Sequence, residues 1–468
     1  MIKFDFLGLA TLSVIDNTER EVGFHFDFDD DSLYQDEKVW NLIGSKYTTT
    51  LFQIGSKTYK DRMCRLQPKT IKELAACLAL VRGPCISSKA DQVYMEIIEG
   101  KREKELIHEF YDKATVETNG ILLYQEQLMN IAVNFGFSLE ESFKLMKAVA
   151  KKKIDKIQEY EADFRKLAKE RSVPEDAIDK IWQIILDAGL YSFNESHAIA
   201  YALLCYQSAY LKTYFPLSYM ANSLTNAYER KEEIEETVAE CRRLGIKFSG
   251  LDYNKSAWGF SVSNEKDNTI NIGLCAIKGF GDKAAIALIS NRPYADFNDM
   301  MERIPKKDLS KRAIIPAIFA GLFDSVIKDR EQMYHYFCEL RNEEPLTAIK
   351  LAKESIDTNE TMQNIETFIL GCPLISSPVN DFEPIGFDTL RKGSVFTTKA
   401  VVSRVKKLKD RNQNLMAFLT LETGDGIIDA TVFANSYKQY RSFYKKGLII
   451  DIKAKKDKEG SCLIQEIS

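Results

Sequence analysis

The sequence is poor in the residues on which several function classes depend. Four histidines in 468 residues, none at metal-ligand spacing from a cysteine pair, give no support to a zinc finger or ribbon. Nine cysteines lie scattered at positions 64, 77, 85, 205, 241, 275, 338, 372 and 462 without a Cys-x-x-Cys. That pattern points to reduced, buried thiols and away from a disulfide framework. No run of about eighteen uninterrupted apolar residues occurs, and the first residues lack the apolar stretch of a secretory leader. Membrane spanning and secretion are disfavoured, so a cytoplasmic location with no membrane partner is expected. A large charge of one sign is missing as well, since 64 Lys and Arg stand against 68 Asp and Glu for a net −4. Contact with nucleic acid would have to rest on local basic patches.

What remains is ordinary for a soluble protein of two to four domains: 45% apolar and 28% charged residues. The chain opens with KFDFLGL at 3 to 9. On a strand Phe4 and Phe6 face a core while Lys3, Asp5 and Leu7 face the other way. Asp5 is then either the polar side of a half-buried strand or one ligand of a metal site whose other ligands lie elsewhere. Residues 17 to 38 read as an acidic loop, and DFDDD (27–31) within it as a solvated turn or helix cap. From 69 to 250 the pattern is helical. IKELAACLALV (71–81) has helical apolar spacing, SLEESFKLMKAVAKKK (138–153) opens with a Ser138-x-x-Glu141 capping box, and 173–190 begins near Pro174 and stops at Gly189. Past 251, DYNKSAWGFSV and NTINIGLCAI read as two short strands around a polar turn. From 394, five short strands predict a small barrel.

Three groups of residues carry candidate chemistry. In IKGFGDKAAIAL (277–288), Gly279 and Gly281 around Phe280 allow a tight turn between two short helices, so helix amides can approach a phosphate. This is either a helix-hairpin-helix clamp on DNA, with Lys278, Gly279, Phe280, Gly281 and Lys283 as its contacts, or an ordinary helical hairpin. Residues 297–323 could form a degenerate partner. In 385–468, sixteen Lys and Arg face nine Asp and Glu; Arg404, Lys406, Lys407 and Lys409, with Phe418, Phe433 and Tyr437 for stacking, suit single-stranded DNA. In the helical part, Lys144, Lys147, Lys151, Lys152 and Lys153 crowd a helix end. Tyr124, Gln125, Glu126 and Gln127 interrupt an apolar helix, and Asn194, Ser196 and His197 open another. Such polar groups need partners. A capping network would account for Asn194 and Ser196 equally well.

KFDFLGL, LLYQEQLM, KAVAKKK, FNESHAIAYALLCYQSAYLK and IKGFGDKAA, in this order and spacing, resemble the family C DNA polymerases, the bacterial replicative polymerase III alpha subunits. FILGCPL (368–374) and the terminal barrel resemble the region after that family's hairpins and its OB domain. The resemblance implies a multidomain α+β chain: the last palm strand (1–20), a large helical fingers domain (21–250), a helix-hairpin-helix region (251–345), a linker (346–384) and a five-stranded OB-type β-barrel (385–468). It also implies template-directed transfer of a deoxynucleotide to a primer terminus. Asp5 matches one of three palm carboxylates that hold a pair of Mg2+ ions, and Lys3 a basic neighbour. Lys147, Lys151, Lys152 and Lys153 match the fingers' lysine-rich segment, which would meet triphosphate or DNA backbone, Arg82 matches the arginine turn expected at the nucleotide, and Asn194, Ser196, His197 and Tyr201 match the segment lining the incoming nucleotide.

Departures from the family pattern shape the expectation. Its other two aspartates belong to a strand before KFDFLGL, where only Met1 and Ile2 stand here. The Arg-Pro-Gly-Pro turn reads Arg82, Gly83, Pro84; a glycine is replaced by Ala150 and a lysine by Glu195. The chain is therefore expected to be inactive alone and to need a separately encoded N-terminal polymerase fragment. The alternative is a non-catalytic DNA-binding or replisome-interacting module. Primer–template DNA, deoxynucleoside triphosphates, single-stranded DNA at the barrel and a sliding clamp are the expected partners. QMYHYF (332–337) is a weak candidate for a clamp-binding peptide.

Overall fold

The computed structural model describes residues 8–189, 191–264, 266–342, 344, 369–372, 374, 379 and 382–468, except 411, 446 and 459. Lys3 and Asp5 lie outside the described residues, as does most of the expected linker. Two compact units form: His25–Tyr214, and Phe215–Ser468 together with the stretch through Phe24.

The His25–Tyr214 unit is helical, and its local signals act where the sequence places them. DFDDD forms a turn in which the Asp30 carboxylate accepts from the Ser32 backbone N–H and opens a short 3-10 helix, Asp31–Gln35. Thr70 caps the helix Ile71–Leu80, whose residues 74–80 are all buried, as befits a helix apolar all round. The Ser138–Glu141 capping box starts Leu139–Ala150, and Glu141 accepts from the Ser138 backbone N–H at 2.8 Å. Glu175–Ala188 follows Pro174 and ends at Gly189. These helices share a core in which the rings of Phe135 and Phe164 stand 4.5 Å apart and those of Phe164 and Trp182 5.2 Å apart, with Ile178, Ile181 and Ile185 beside them. Each such side chain contributes about 1.5–3 kcal/mol by leaving water.

In the other unit, the helix Ala10–Val22 occupies part of the expected 17–38 loop and stops at Gly23, whose φ of 65° reverses the chain. It packs on Pro216–Ala227, where the Asn222 amide donates to Glu21 Oε2 at 3.1 Å. A small mixed sheet follows, with β1 (Lys247–Ser249), β2 (Ser261–Asn264) and β3 (Thr269–Asn271) in the order β1-β3-β2. The strands β2 and β3 are the expected pair. The parallel strand β1 is three residues long, too short to leave an alternation in the sequence.

The barrel closes through β4 (Val395–Lys409), β5 (Leu415–Thr423), β6 (Gly426–Val432), β7 (Ile449–Lys458) and β8 (Ser461–Ile467). The order is β4-β5-β6-β8-β7, with β6 and β8 parallel and the helix Ala434–Tyr440 between β6 and β7. Long β4 pairs with β7 through its first half and with β5 through its second, turning at a bulge between Val402 and Arg404. This is the small closed barrel expected from the five strands.

Candidate functional site

In the helical unit, segments far apart in sequence meet around residues 189–201. The backbone of Phe193 is bonded on both sides to the 123–125 segment: its N–H donates to Leu123 O at 3.0 Å, and Gln125 N–H donates to its carbonyl at 2.8 Å. Gln127, one of the polar residues in the apolar 120–132 stretch, reaches back to accept from the Leu123 and Tyr124 N–H groups at 2.9 Å and donates to Thr118 Oγ1. Glu126 serves the next helix. One of its oxygens accepts from the Asn194 amide at 2.6 Å and the other from the Glu195 N–H at 2.9 Å. Asn194 Oδ1 in turn accepts from Ser196 Oγ at 2.7 Å and His197 N–H at 2.8 Å, which caps Glu195–Tyr214. Glu126 of LYQEQ is thus the partner of the start of FNESH, and the capping network accounts for Asn194 and Ser196.

A ladder of rings runs along one side of that cap. The Arg82 guanidinium lies 3.9 Å from the Phe193 ring centroid. Phe193 meets His197 edge to face at 5.3 Å, His197 lies against Tyr201 at 4.0 Å, and Tyr201 against Phe52 at 5.0 Å. Positions 197 and 201 stand four residues apart in the helix and share a face, and Phe193, just before the helix, extends their row. The Arg82 guanidinium makes no hydrogen bond or ion pair among the described residues. Close by, burial pushes the Cys85 thiol up to about 11, and the Arg82 charge pulls the other way. Burial, then repulsion from Glu126 and Glu117, holds Glu195 above the usual carboxylate range, and Lys72 offsets part of this.

The lysine turn follows Val149, against which Gly189 packs. Lys147 lies over the Phe143 ring at 4.1 Å, Lys151 ends its helix, Lys152 takes the left-handed conformation at φ 52° and Lys153 opens the helix Ile154–Glu170. All four are exposed. Ala150 is the last helical residue, so no glycine is required there.

The hairpin region differs from its expected form. A single 3-10 turn, Leu274–Ala276, stands where a first helix was expected, followed by Gly279 at φ 87° and the helix Asp282–Ser290. Only glycine takes that φ without strain, and a Cβ on Gly279 would also stand 3.0 Å from Arg312 O. The Phe280 side chain is buried and its N–H is donated to Ile277 O, so Phe280 anchors the turn and does not present itself to DNA. Lys278 is exposed, and Lys283 pairs with Asp308 at 2.9 Å. The partner hairpin forms from Phe297–Arg303 and Lys311–Phe319. QMYHYF lies inside the helix Arg330–Arg341 with Met333, Tyr334 and Phe337 buried, so it is core and not a peptide open to a clamp.

On the barrel, the four expected cations divide. All are exposed, but Arg404 and Lys406 alternate onto one side of β4 and Lys407 and Lys409 onto the other. Lys406 pairs across to Phe418, and Phe418 to Thr431, which sets a cation, an aromatic and a hydroxyl in one outward row. Phe418 and Phe433 are about half exposed, whereas Tyr437 is buried and stacked on Tyr444 at 5.3 Å, so it is not available to a base.

The finger domain of the bacterial DNA polymerase III alpha subunit matches residues 11–172, and a helix-hairpin-helix motif matches residues 245–333. Over nearly its whole length the chain is similar to bacterial DNA polymerase III alpha subunits. It is similar to the DNA polymerase III subunit alpha of Borreliella burgdorferi, 30% identical over 497 residues that cover 97% of this chain and 42% of the relative. The subunit from Aquifex aeolicus is 28% identical over 98% of this chain and 41% of its own length, and that from Thermus aquaticus 28% over 94% and 39%. The chain thus spans about two fifths of the length of these relatives.

The structure adds Phe193, Glu126 and Phe52 to the residues around the 194–201 segment. Glu126 could have been inferred from the need of a helix start for an acceptor. Phe193 and Phe52 carry no signal in the sequence beyond being aromatic. Among the described residues, no group of three or more His, Cys, Asp or Glu side chains stands together as a metal would require. The described residues therefore do not by themselves fit a two-magnesium site.

Proposed function

We propose that this chain holds the incoming deoxynucleoside triphosphate and the primer–template DNA during template-directed synthesis by a family C polymerase. The observation that carries this reading is the unclaimed Arg82 guanidinium on the ring of Phe193, one residue from the Asn194 cap and its Glu126 acceptor. Cations with free donors suit a polyphosphate, and catalysis of phosphoryl transfer is largely positioning and charge stabilisation. In this scheme Arg82, Lys147, Lys151, Lys152 and Lys153 meet the phosphates, Asn194 and Ser196 fix the start of the lining helix, and His197 and Tyr201 face the sugar and base.

A pair of magnesium ions would activate the primer 3′-hydroxyl and stabilise the leaving pyrophosphate. Such a pair needs several convergent acids. Asp5 is one candidate, with Lys3 beside it in sequence, and the others are assigned to palm residues outside the sequence described. Lys278, Gly279, Gly281 and Lys283 are assigned to duplex backbone. The ion pair of Lys283 with Asp308 is exposed on the lysine side and worth about 0–1 kcal/mol, so a phosphate can displace it. Arg404, Lys406 and Phe418 are assigned to single-stranded DNA, with Lys407 and Lys409 at the opposite side of the strand. A sliding clamp is a further partner, and the compartment is the cytoplasm.

Primer extension tests the reading. This chain and a polypeptide carrying the palm acids should each be inactive alone and active when mixed, and Asp5→Ala should abolish the mixed activity. No extension at any stoichiometry, with DNA binding intact, would favour the non-catalytic DNA-binding module.

A further inference from the structure

We propose that Phe193 is a positioning residue that presents Arg82 to the phosphate chain of a nucleoside triphosphate. The proposal deepens the nucleotide reading above and rests on it. A flexible, solvated arginine must lose rotamer freedom when it binds an anion. Here that freedom is restricted beforehand. The guanidinium lies over an aromatic face, 3.9 Å from its centroid, in a contact where the ring's negative face attracts the cation. None of its N–H donors is used by another described residue, so the guanidinium keeps its fork for an incoming anion.

The platform is itself fixed. Leu123 O and Gln125 N–H hold the Phe193 backbone from both sides, and the His197 ring stands edge-on at 5.3 Å and 89°. Turning the Phe193 ring away from Arg82 would disturb its packing against His197. The 123–125 segment therefore acts on Arg82 through Phe193, a link that neither sequence distance nor chemistry alone would suggest. Phe193 touches no substrate in this scheme; it acts through the arginine.

The full chain is titrated with dATP and, to isolate the phosphates, with inorganic tripolyphosphate. Phe193→Leu keeps bulk and removes the ring, and is expected to weaken both ligands about five- to tenfold. Phe193→Tyr keeps the ring face and should bind as the unaltered chain does. Arg82→Ala should weaken binding at least as much, and in its background Phe193→Leu should cost nothing further; a merely structural role would not produce that non-additivity. If Phe193→Leu fails to fold, as judged by thermal unfolding, Phe193→Met carries the same expectation. Unchanged tripolyphosphate affinity in the folded variant, or an equal loss in the Arg82→Ala background, overturns the inference alone. No binding of either ligand to the unaltered chain overturns the nucleotide reading and the inference with it.

Discussion

Gly189 lies so close to Val149 that a methyl group built on it would overlap the valine side chain and stand 3.2 Å from the valine carbonyl carbon. The contact joins the end of Glu175–Ala188 to the end of Leu139–Ala150, next to the lysine turn. Gly189→Ala forces that pair apart and should cost about 1–3 kcal/mol, as overpacking of a filled core does. Denaturant unfolding reads the loss. Stability within a few tenths of a kcal/mol of the unaltered chain would show that the approach is not structural.

Glu126 gives both carboxylate oxygens to the start of Glu195–Tyr214. Glu126→Ala leaves the Asn194 amide and the Glu195 N–H without acceptors and should destabilise by about 1–2 kcal/mol. Glu126→Gln keeps one acceptor and should recover roughly half of that loss. Equal unfolding midpoints for the two variants would argue against a capping role.

Glu195 yields a pH dependence with a definite sign. Its carboxyl is held above the ordinary 4.5 by burial and by Glu126 and Glu117, so the folded state takes up the proton more readily than the unfolded state. The charged form is then a cost that is absent below the unfolded value and fully present above the folded one. Glu195→Gln should be more stable than the unaltered chain at neutral pH, and the gap should close as pH falls towards 4.5. Thermal unfolding from neutral to mildly acid pH checks this; a gap that widens on acidification would reverse the assignment.

Trp258 offers an optical view of the hairpin turn. Trp40 and Trp182 are buried, whereas Trp258 is 37% exposed and its indole N–H donates at 2.9 Å to Asp282 Oδ1, at the first residue of the helix after the turn. Duplex DNA seated at Gly279–Gly281 should change its emission. Gly279→Ala, which forces a side chain into a φ of 87°, should weaken that response and cost about 1–2 kcal/mol of stability. An emission spectrum indifferent to saturating duplex would place the DNA elsewhere.

The outward row on the barrel separates its lysines. Phe418→Ala should reduce single-stranded DNA affinity by about 1–3 kcal/mol, the value of one stacked base. Lys406→Glu should weaken binding and flatten its dependence on salt, because one phosphate contact is lost. Lys407→Glu, on the other side of β4, should do less. Anisotropy titrations at two salt concentrations distinguish the three, and equal losses for Lys406 and Lys407 would mean that the strand does not follow this row.

Much of the framework was legible because its causes are local. The capping box at Ser138, the stop at Gly189, the glycines around Phe280 and the five alternating strands all act within a few residues of themselves. Errors arose where burial depends on distant packing. Tyr437, Tyr334 and Phe337 look accessible along the sequence, and only their neighbours bury them. Counting cations in 404–409 likewise could not say that alternation splits them between two sides of one strand.

The sequence by itself determined the kind of chain this is: helices with their ends marked, a glycine turn and an alternating barrel, in an order characteristic of family C polymerases. Tertiary structure alone decided that Arg82 rests on Phe193 and that Glu126 holds Asn194. The physical reason is range. Propensity and capping are set by neighbours along the chain, whereas an arginine finds its platform more than a hundred residues away only after a core has formed to hold both.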